Sequence, residues 1–310
     1  MDLAYHFNQT VMIIPRGYQY QEKVNGTMVT NQRAIIGMGT VIDNHPLLAD
    51  AMNESGLCCA GLNFEGYAYF EKEPVEGKNN IAPYDFIQWT LSNHETVEEV
   101  KKGIEQLEIV DRPVNDKTPV PMLHWMITDR TGKSIVVEKT KDRLTVHDNP
   151  LGVMTNNPTF DWHMTNLNEY LHLTPTSPKA ASWGDRTLHA LGIGAGTLGM
   201  PGDFASVSRF VRIAYIRTHM PTIENDVQAI TQFFHMLDYV KMVKGGVLTD
   251  EGLEDGTTYS SCMDQEKGVY YYKTYENNRI NAVDMHKEQL EGTELKIFDY
   301  LVKQDINYQN

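Results

Sequence analysis

The sequence lacks the features that mark secreted, membrane-spanning or nucleic-acid-binding proteins. Its 310 residues include three cysteines, no apolar run of 18 residues, and 27 basic against 41 acidic side chains, a net charge of −14. Three cysteines cannot form a disulfide framework, so we expect a cytoplasmic protein in a reducing compartment. We expect no membrane span, no signal peptide at Met1–His6, and no nucleic-acid partner, because an acidic surface repels phosphate backbones.

The apolar pattern predicts an α+β protein in which strands and helices occur in separate blocks. The order of elements is strands, helices, strands, helices, strands, which differs from the βαβ alternation of a dinucleotide-binding fold. No linker or internal repeat is visible, so we predict a single domain over residues 1–310. We predict strands at 10–15, 33–39, 57–64, 123–128, 134–138, 144–147, 257–263, 269–275 and 281–285, and helices at 83–93, 96–107, 206–220 and 224–240.

Two sequence patterns that often indicate ligands are weak in this chain. The stretch Gly194–Gly199 matches G-x-G-x-x-G, but no strand precedes it and Met200-Pro201-Gly202 follows at once, so we predict a glycine-rich loop. The eleven histidines form no H-E-x-x-H motif, and no C-x-x-C pair is present. These patterns therefore favour neither a dinucleotide site nor a metal site.

The three cysteines are predicted to be packing residues. Cys58 and Cys59 are neighbours in an apolar predicted strand, so their side chains should point to opposite faces and each should enter its own packed layer. Cys262 lies in a tyrosine-rich predicted hairpin, and we expect it to be buried too.

Two polar positions allow either a structural or a chemical interpretation. Asn156 lies in a Thr-Asn-Asn-Pro cluster, which ordinarily forms a turn, although an Asn amide at a strand end can also donate to an oxyanion. Arg209 lies between Ser208 and Phe210 in a predicted helix. It is either a surface arginine or a positive group directed at a site.

Several long motifs resemble the choloylglycine hydrolase family, which comprises conjugated bile salt hydrolases and penicillin V acylases. The likeness covers essentially the whole chain and keeps the family's motif order. It implies the N-terminal nucleophile hydrolase fold, an αββα sandwich of two antiparallel sheets between helix layers. The motifs are Asn53–Leu57, Gly61–Phe64, Gly152–Pro158, Leu198–Phe204, Ser208–Phe210 and Tyr270–Asn277.

The resemblance also implies a mechanism and a set of site residues. In this family an N-terminal cysteine attacks a linear amide, and its own α-amino group acts as the base. By the resemblance, Asn156 and Asn63 supply oxyanion donors, Arg209 tunes the surroundings of the nucleophile, and Asp2 positions the α-amino group. The family needs no cofactor and commonly forms homotetramers.

The start of the chain departs from the family pattern. Met1 and Asp2 match the end of the family's R-x-x-D motif, so we expect that the first β-hairpin, with the nucleophilic cysteine, is missing from residues 1–310. One explanation is that the start was assigned at an internal methionine, and the other is that the chain is a true truncation. The helix caps and site residues are all retained, which favours the first explanation. The expected activity is hydrolysis of glycine- or taurine-conjugated bile salts. One alternative is a penicillin V acylase, because Trp162-His163 and Asp2-Leu3 resemble the sequences of that branch of the family. The other alternative is an inactive binding or structural homologue.

Overall fold

The computed structural model describes all 310 residues and has two compact units, Met1–Met154 with Lys241–Asn310, and Thr155–Val240. The predicted α+β class is confirmed.

The helices are α1 (Phe86–Asn93), α2 (Val97–Ile104), α3 (Phe160–Asn166), α4 (Ser206–Thr218) and α5 (Asp226–Asp238). The strands are β1 (Thr10–Ile14), β2 (Gln19–Gln21), β3 (Met28–Thr30), β4 (Ile35–Ile42), β5 (His45–Asn53), β6 (Cys58–Asn63), β7 (Asn79–Ile81), β8 (Leu107–Ile109), β9 (Leu123–Thr128), β10 (Ser134–Lys139), β11 (Leu144–Asp148), β12 (Ala181–Trp183), β13 (Arg186–Leu188), β14 (Val247–Leu248), β15 (Glu254–Asp255), β16 (Tyr259–Asp264), β17 (Val269–Thr274), β18 (Asn281–Asp284) and β19 (Lys296–Phe298).

The first unit is built around an eight-stranded antiparallel sheet in the order β11-β10-β9-β6-β5-β4-β1-β19. Both faces of this sheet are apolar and covered. One face packs against the buried residues of α1 and α2, and the other packs against the three-stranded sheet β16-β17-β18. The unit is therefore a helix layer and two stacked sheets, which explains why its strands appear as continuous apolar runs in the sequence.

A buried carboxylate connects the two stacked sheets. Asp50 of β5 is 7% exposed and accepts hydrogen bonds from the hydroxyls of Tyr259 (2.6 Å), Ser261 (2.9 Å) and Tyr270. These three donors belong to β16 and β17. A buried carboxylate needs such donors because an unpaired one would be very costly.

The central strands correct the sequence prediction in two places. β4 was predicted to end at Gly39 but continues to Ile42, and β5 was missed altogether. A Cβ at Gly39 would clash with the backbone oxygen of Leu47, so this glycine permits close approach of β5 instead of ending the strand. β5 contains Pro46 and no β-branched residue, and it therefore carries little strand signal.

Thr96 caps the start of helix α2. The backbone N–H of Glu99 donates to Thr96 Oγ1 at 3.3 Å, but the Glu99 carboxylate accepts from the N–H of Glu95, one residue before the cap. The helix ends at Ile104, and Leu107, predicted to be helical, begins β8 instead. β8 pairs in parallel with β7, a long-range contact that the local pattern does not show.

The second unit contains α3, the hairpin β12–β13 and the helix pair α4–α5. The predicted helices at 206–220 and 224–240 are confirmed within two residues at each end, and α3 was missed. None of the helices is long and apolar enough to span a bilayer.

Candidate active site

The structure brings Asn156 and Arg209 of the second unit into direct contact. Arg209 is 9% exposed, and its Nη2 donates to Asn156 Oδ1 at 2.7 Å. A guanidinium carries donors alone, so the amide oxygen of Asn156 must face it. The NH2 group of Asn156 therefore points away from Arg209, which is the orientation that an oxyanion donor needs.

Arg209 is held in place by the start of α4. Its Nε donates to the backbone oxygen of Phe204 at 3.1 Å. Asp203 accepts from the Ser208 hydroxyl (2.7 Å) and from the backbone N–H of Ala205 (2.9 Å), and these hydrogen bonds hold the pKa of its carboxyl below the ordinary value. The Leu198–Phe204 motif thus fixes the helix start from which Arg209 projects.

Asn63, the second predicted oxyanion donor, is the last residue of β6. Its strand position pairs with Leu123, and its side chain is exposed. The next residue, Phe64, is fully buried and stacks on the His124 ring at 4.2 Å, with 5° between the ring planes. The packing of Phe64 therefore holds the end of β6 in place next to Asn63.

The His124 ring is itself fixed by a buried carboxylate. His124 Nδ1 lies 3.1 Å from Glu138 Oε1, and His147 Nε2 lies 3.4 Å from Glu138 Oε2. Burial raises the pKa of Glu138, but hydrogen bonds from the two histidines outweigh burial and lower the pKa below the ordinary value. The Glu138 carboxylate therefore stays ionised and holds the His124 ring on which Phe64 stacks.

Asp2 lies against the segment that leads into β16. The Thr257 hydroxyl donates to Asp2 Oδ1, and the backbones of the two residues form an isolated antiparallel bridge. Leu3 extends this pairing by donating its N–H to the backbone oxygen of Gly256 at 3.0 Å. Asp2 is therefore held by side chain and main chain together.

The four predicted site residues are thus distributed over both units. Asn156 and Arg209 touch each other in the second unit, while Asp2 and Asn63 lie on separate elements of the first. Sequence reasoning missed Thr257 as the partner of Asp2, because 255 residues separate the two. It also missed the support of Asn156 by His163, whose ring nitrogen lies 2.9 Å from the Asn156 backbone oxygen. No local pattern indicates either contact.

The prediction that the three cysteines are packing residues is confirmed. All three are buried, with Cys59 in the core cluster beneath the helices and Cys58 in the cluster between the sheets. Burial raises the pKa of each thiol above its ordinary value, to about 12 for Cys262. Since the thiolate is the nucleophile, these thiols are poor candidates for attack on an amide.

This burial predicts slow thiol modification of the native chain. A pKa of about 12 for Cys262 leaves roughly 10³-fold less thiolate at neutral pH than an ordinary cysteine has. With an aromatic disulfide reagent at pH 7, we expect no fast-reacting thiol in the native protein and three after denaturation in guanidinium. A cysteine that reacts within seconds in the folded chain would contradict its assignment as a packing residue.

The glycine-rich stretch is a loop, as predicted. It holds a short 3-10 turn at Ala195–Thr197, and Gly194 and Gly199 have φ values of 90° and 94°. These left-handed conformations favour glycine, so these two glycines are explained by the backbone conformation of the loop.

Comparison with known proteins places the chain among amide hydrolases. Residues 1–298 match the family model described as linear amide C–N hydrolases, choloylglycine hydrolase family. A bile salt hydrolase/transferase from Clostridium perfringens is 49% identical over 100% of this chain and 94% of its own length. A solved mutant conjugated bile acid hydrolase from Clostridium perfringens has a TM-score of 0.95 at 48% identity, covering 100% of this chain and 94% of that one. Penicillin V acylase from Agrobacterium tumefaciens, at 22% identity and a TM-score of 0.75 over 96% of this chain and 85% of that one, shares the fold.

Proposed function

Because the chain belongs to the choloylglycine hydrolase family of linear amide C–N hydrolases, we propose that it hydrolyses bile salts conjugated with glycine or taurine. The similarity to the bile salt hydrolase of Clostridium perfringens supports this substrate class. The observation that carries the proposal is the Asn156–Arg209 contact, which turns an amide NH2 away from a fixed guanidinium. Such a donor is suited to the negative oxygen that forms when an amide carbonyl is attacked.

In the proposed reaction, a thiol attacks the carbonyl carbon of the conjugate and gives up its proton to a base. Asn156 and Asn63 donate to the oxygen that becomes negative, and Arg209 and Asp2 keep the surroundings of the thiol in place. The C–N bond then breaks, the amine leaves with a proton, and water hydrolyses the thioester to the free bile acid. Since Cys58, Cys59 and Cys262 are buried with raised pKa values, the proposal assigns attack to a thiol other than these three.

Turnover assays on two polypeptides test this function. The first is the 310-residue chain, and the second, the cysteine-led form, is the same chain joined behind a segment that supplies the family's N-terminal cysteine. We expect the cysteine-led form to release glycine or taurine from conjugated bile salts, and the 310-residue chain to release neither. Release of 6-aminopenicillanic acid from penicillin V instead would favour the acylase alternative, and no release by either polypeptide would favour an inactive homologue.

We also propose that the chain forms homo-oligomers, as the tetramers of the family suggest. In the second unit, Leu191 and Ile193 are fully exposed, and Leu171, Trp183 and Leu198 are 76–84% exposed. Apolar side chains presented to solvent in one segment are typical of a protein interface.

Replacing Leu191 and Ile193 together with aspartate should therefore reduce the mass of the particle. Buried charges in an interface are strongly unfavourable, so we expect dissociation to a smaller species by size-exclusion chromatography with light scattering. Val227 of α5, 73% exposed in the same unit, provides the control as Val227→Asp. An unchanged mass in the double variant would exclude this segment as the interface.

A further inference from the structure

The turn that carries Asn156 is held from α4 by side chains. The Thr155 hydroxyl donates to the backbone oxygen of Ser206 at 3.1 Å, and the Ser206 hydroxyl donates to Thr155 Oγ1 at 3.0 Å. Arg209 holds the amide oxygen of Asn156 from the same helix. These contacts fix the side chain of Asn156 and the residue before it, but they do not fix its own peptide carbonyl.

His163 of α3 supplies the missing constraint. Its Nε2 lies 2.9 Å from the backbone oxygen of Asn156, and a carbonyl accepts, so Nε2 carries the hydrogen and donates it. The ring is 2% exposed and stacks on Phe210 at 4.5 Å, with 15° between the ring planes. Phe210 follows Arg209 on α4, so adjacent residues of one helix orient the imidazole and the Asn156 amide.

We propose that His163 is a positioning residue for the oxyanion donor Asn156. His163 holds the backbone oxygen of Asn156 and Arg209 holds its side-chain oxygen, so Asn156 is anchored at both its main chain and its side chain. Its NH2 group therefore keeps one direction. This inference rests on the proposed function, because a fixed donor matters where an oxyanion forms, and small misplacements of catalytic groups are costly.

Two substitutions separate positioning from packing. His163→Phe keeps a ring that can stack on Phe210 but has no N–H to donate. His163→Gln loses the ring and keeps an amide N–H that can reach the Asn156 carbonyl. If His163 positions Asn156, the Phe variant is impaired and the Gln variant is largely rescued, whereas a packing role predicts the reverse order.

The kinetic experiment uses the cysteine-led form and a taurine-conjugated bile salt. We expect His163→Phe to lower kcat by about 10- to 100-fold with little change in KM, and His163→Gln to retain most of kcat. His219→Phe, an exposed histidine at the end of α4, is the control and should match the parent. A Phe variant with the parent's kcat, or a Gln variant as impaired as the Phe variant, would overturn the proposal.

A second readout needs no turnover and uses the 310-residue chain. The side-chain amide of Asn156, labelled with 15N and assigned by its loss in Asn156→Ala, should shift or broaden in His163→Phe and stay in place in His163→Gln. Unmoved signals in His163→Phe would overturn the proposal. Absence of turnover in the cysteine-led form would instead overturn the proposed function, and the amide signals would still decide the role of His163.

Discussion

Replacing Asn156 with alanine in the cysteine-led form is expected to lower kcat by about 10²–10³-fold, which corresponds to roughly 2.7–4 kcal/mol of barrier. The reason is geometric, because Arg209 accepts no hydrogen bond and so turns the NH2 group of Asn156 outward. A donor fixed in advance needs no reorganisation when charge develops on the substrate oxygen. The measurement is steady-state release of taurine or glycine.

A second substitution at the same position separates loss of the donor from loss of volume. Asn156→Asp keeps the size of the side chain and an oxygen for Arg209, but replaces the NH2 group with an acceptor, so we expect a loss at least as large. Asn168→Ala, an exposed asparagine of the second unit, is the control and should leave kcat unchanged. A parental rate in both Asn156 variants would remove Asn156 from the proposed mechanism.

Replacing Asp50 with alanine is expected to lower the free energy of unfolding by roughly 3 kcal/mol or more. The buried hydroxyls of Tyr259 and Tyr270 and the half-buried hydroxyl of Ser261 would lose their shared acceptor, and each unsatisfied buried group costs about 1–3 kcal/mol. Urea unfolding followed by circular dichroism measures the change through the transition midpoint.

Variants at two positions make this stability prediction specific to the acceptor. Asp50→Asn retains one amide oxygen in place of the carboxylate, so its loss should be smaller than that of Asp50→Ala. Asp116→Ala removes an exposed carboxylate and should fall within about 0.5 kcal/mol of the parent. A loss below about 1 kcal/mol in Asp50→Ala would show that the carboxylate does not hold the two sheets together.

The sequence predicted the layers of the first unit well because its strands are apolar on both faces and their side chains point alternately to the two layers. Cys58 and Cys59 are neighbours, and the structure places them in the two different core clusters, as period-two geometry requires. β5 was missed because its stability comes from pairing with β4 along its length and with β6 at Asp50–Met52, and hardly from its own composition. Glycines that appeared to end β4 instead allow that pairing.

The candidate site residues were proposed from the sequence, but their arrangement was not. The resemblance to the family supplied Asp2, Asn63, Asn156 and Arg209, since their motifs are continuous in sequence. The 2.7 Å contact of Arg209 with Asn156 joins residues 53 positions apart, and it depends on where the turn and α4 meet. His163 and Thr257 lie outside the site motifs, and only the folded structure shows their hydrogen bonds to Asn156 and Asp2.

Mass spectrometry of the cysteine-led form during turnover identifies the thiol that attacks the substrate. We predict an acyl-enzyme whose mass exceeds that of the free protein by the bile acyl group, with the acyl group on the peptide that carries the added N-terminal cysteine. Cys58, Cys59 and Cys262 should stay unmodified, because each is buried with a raised pKa. Acylation of any of these three cysteines would contradict this mechanism.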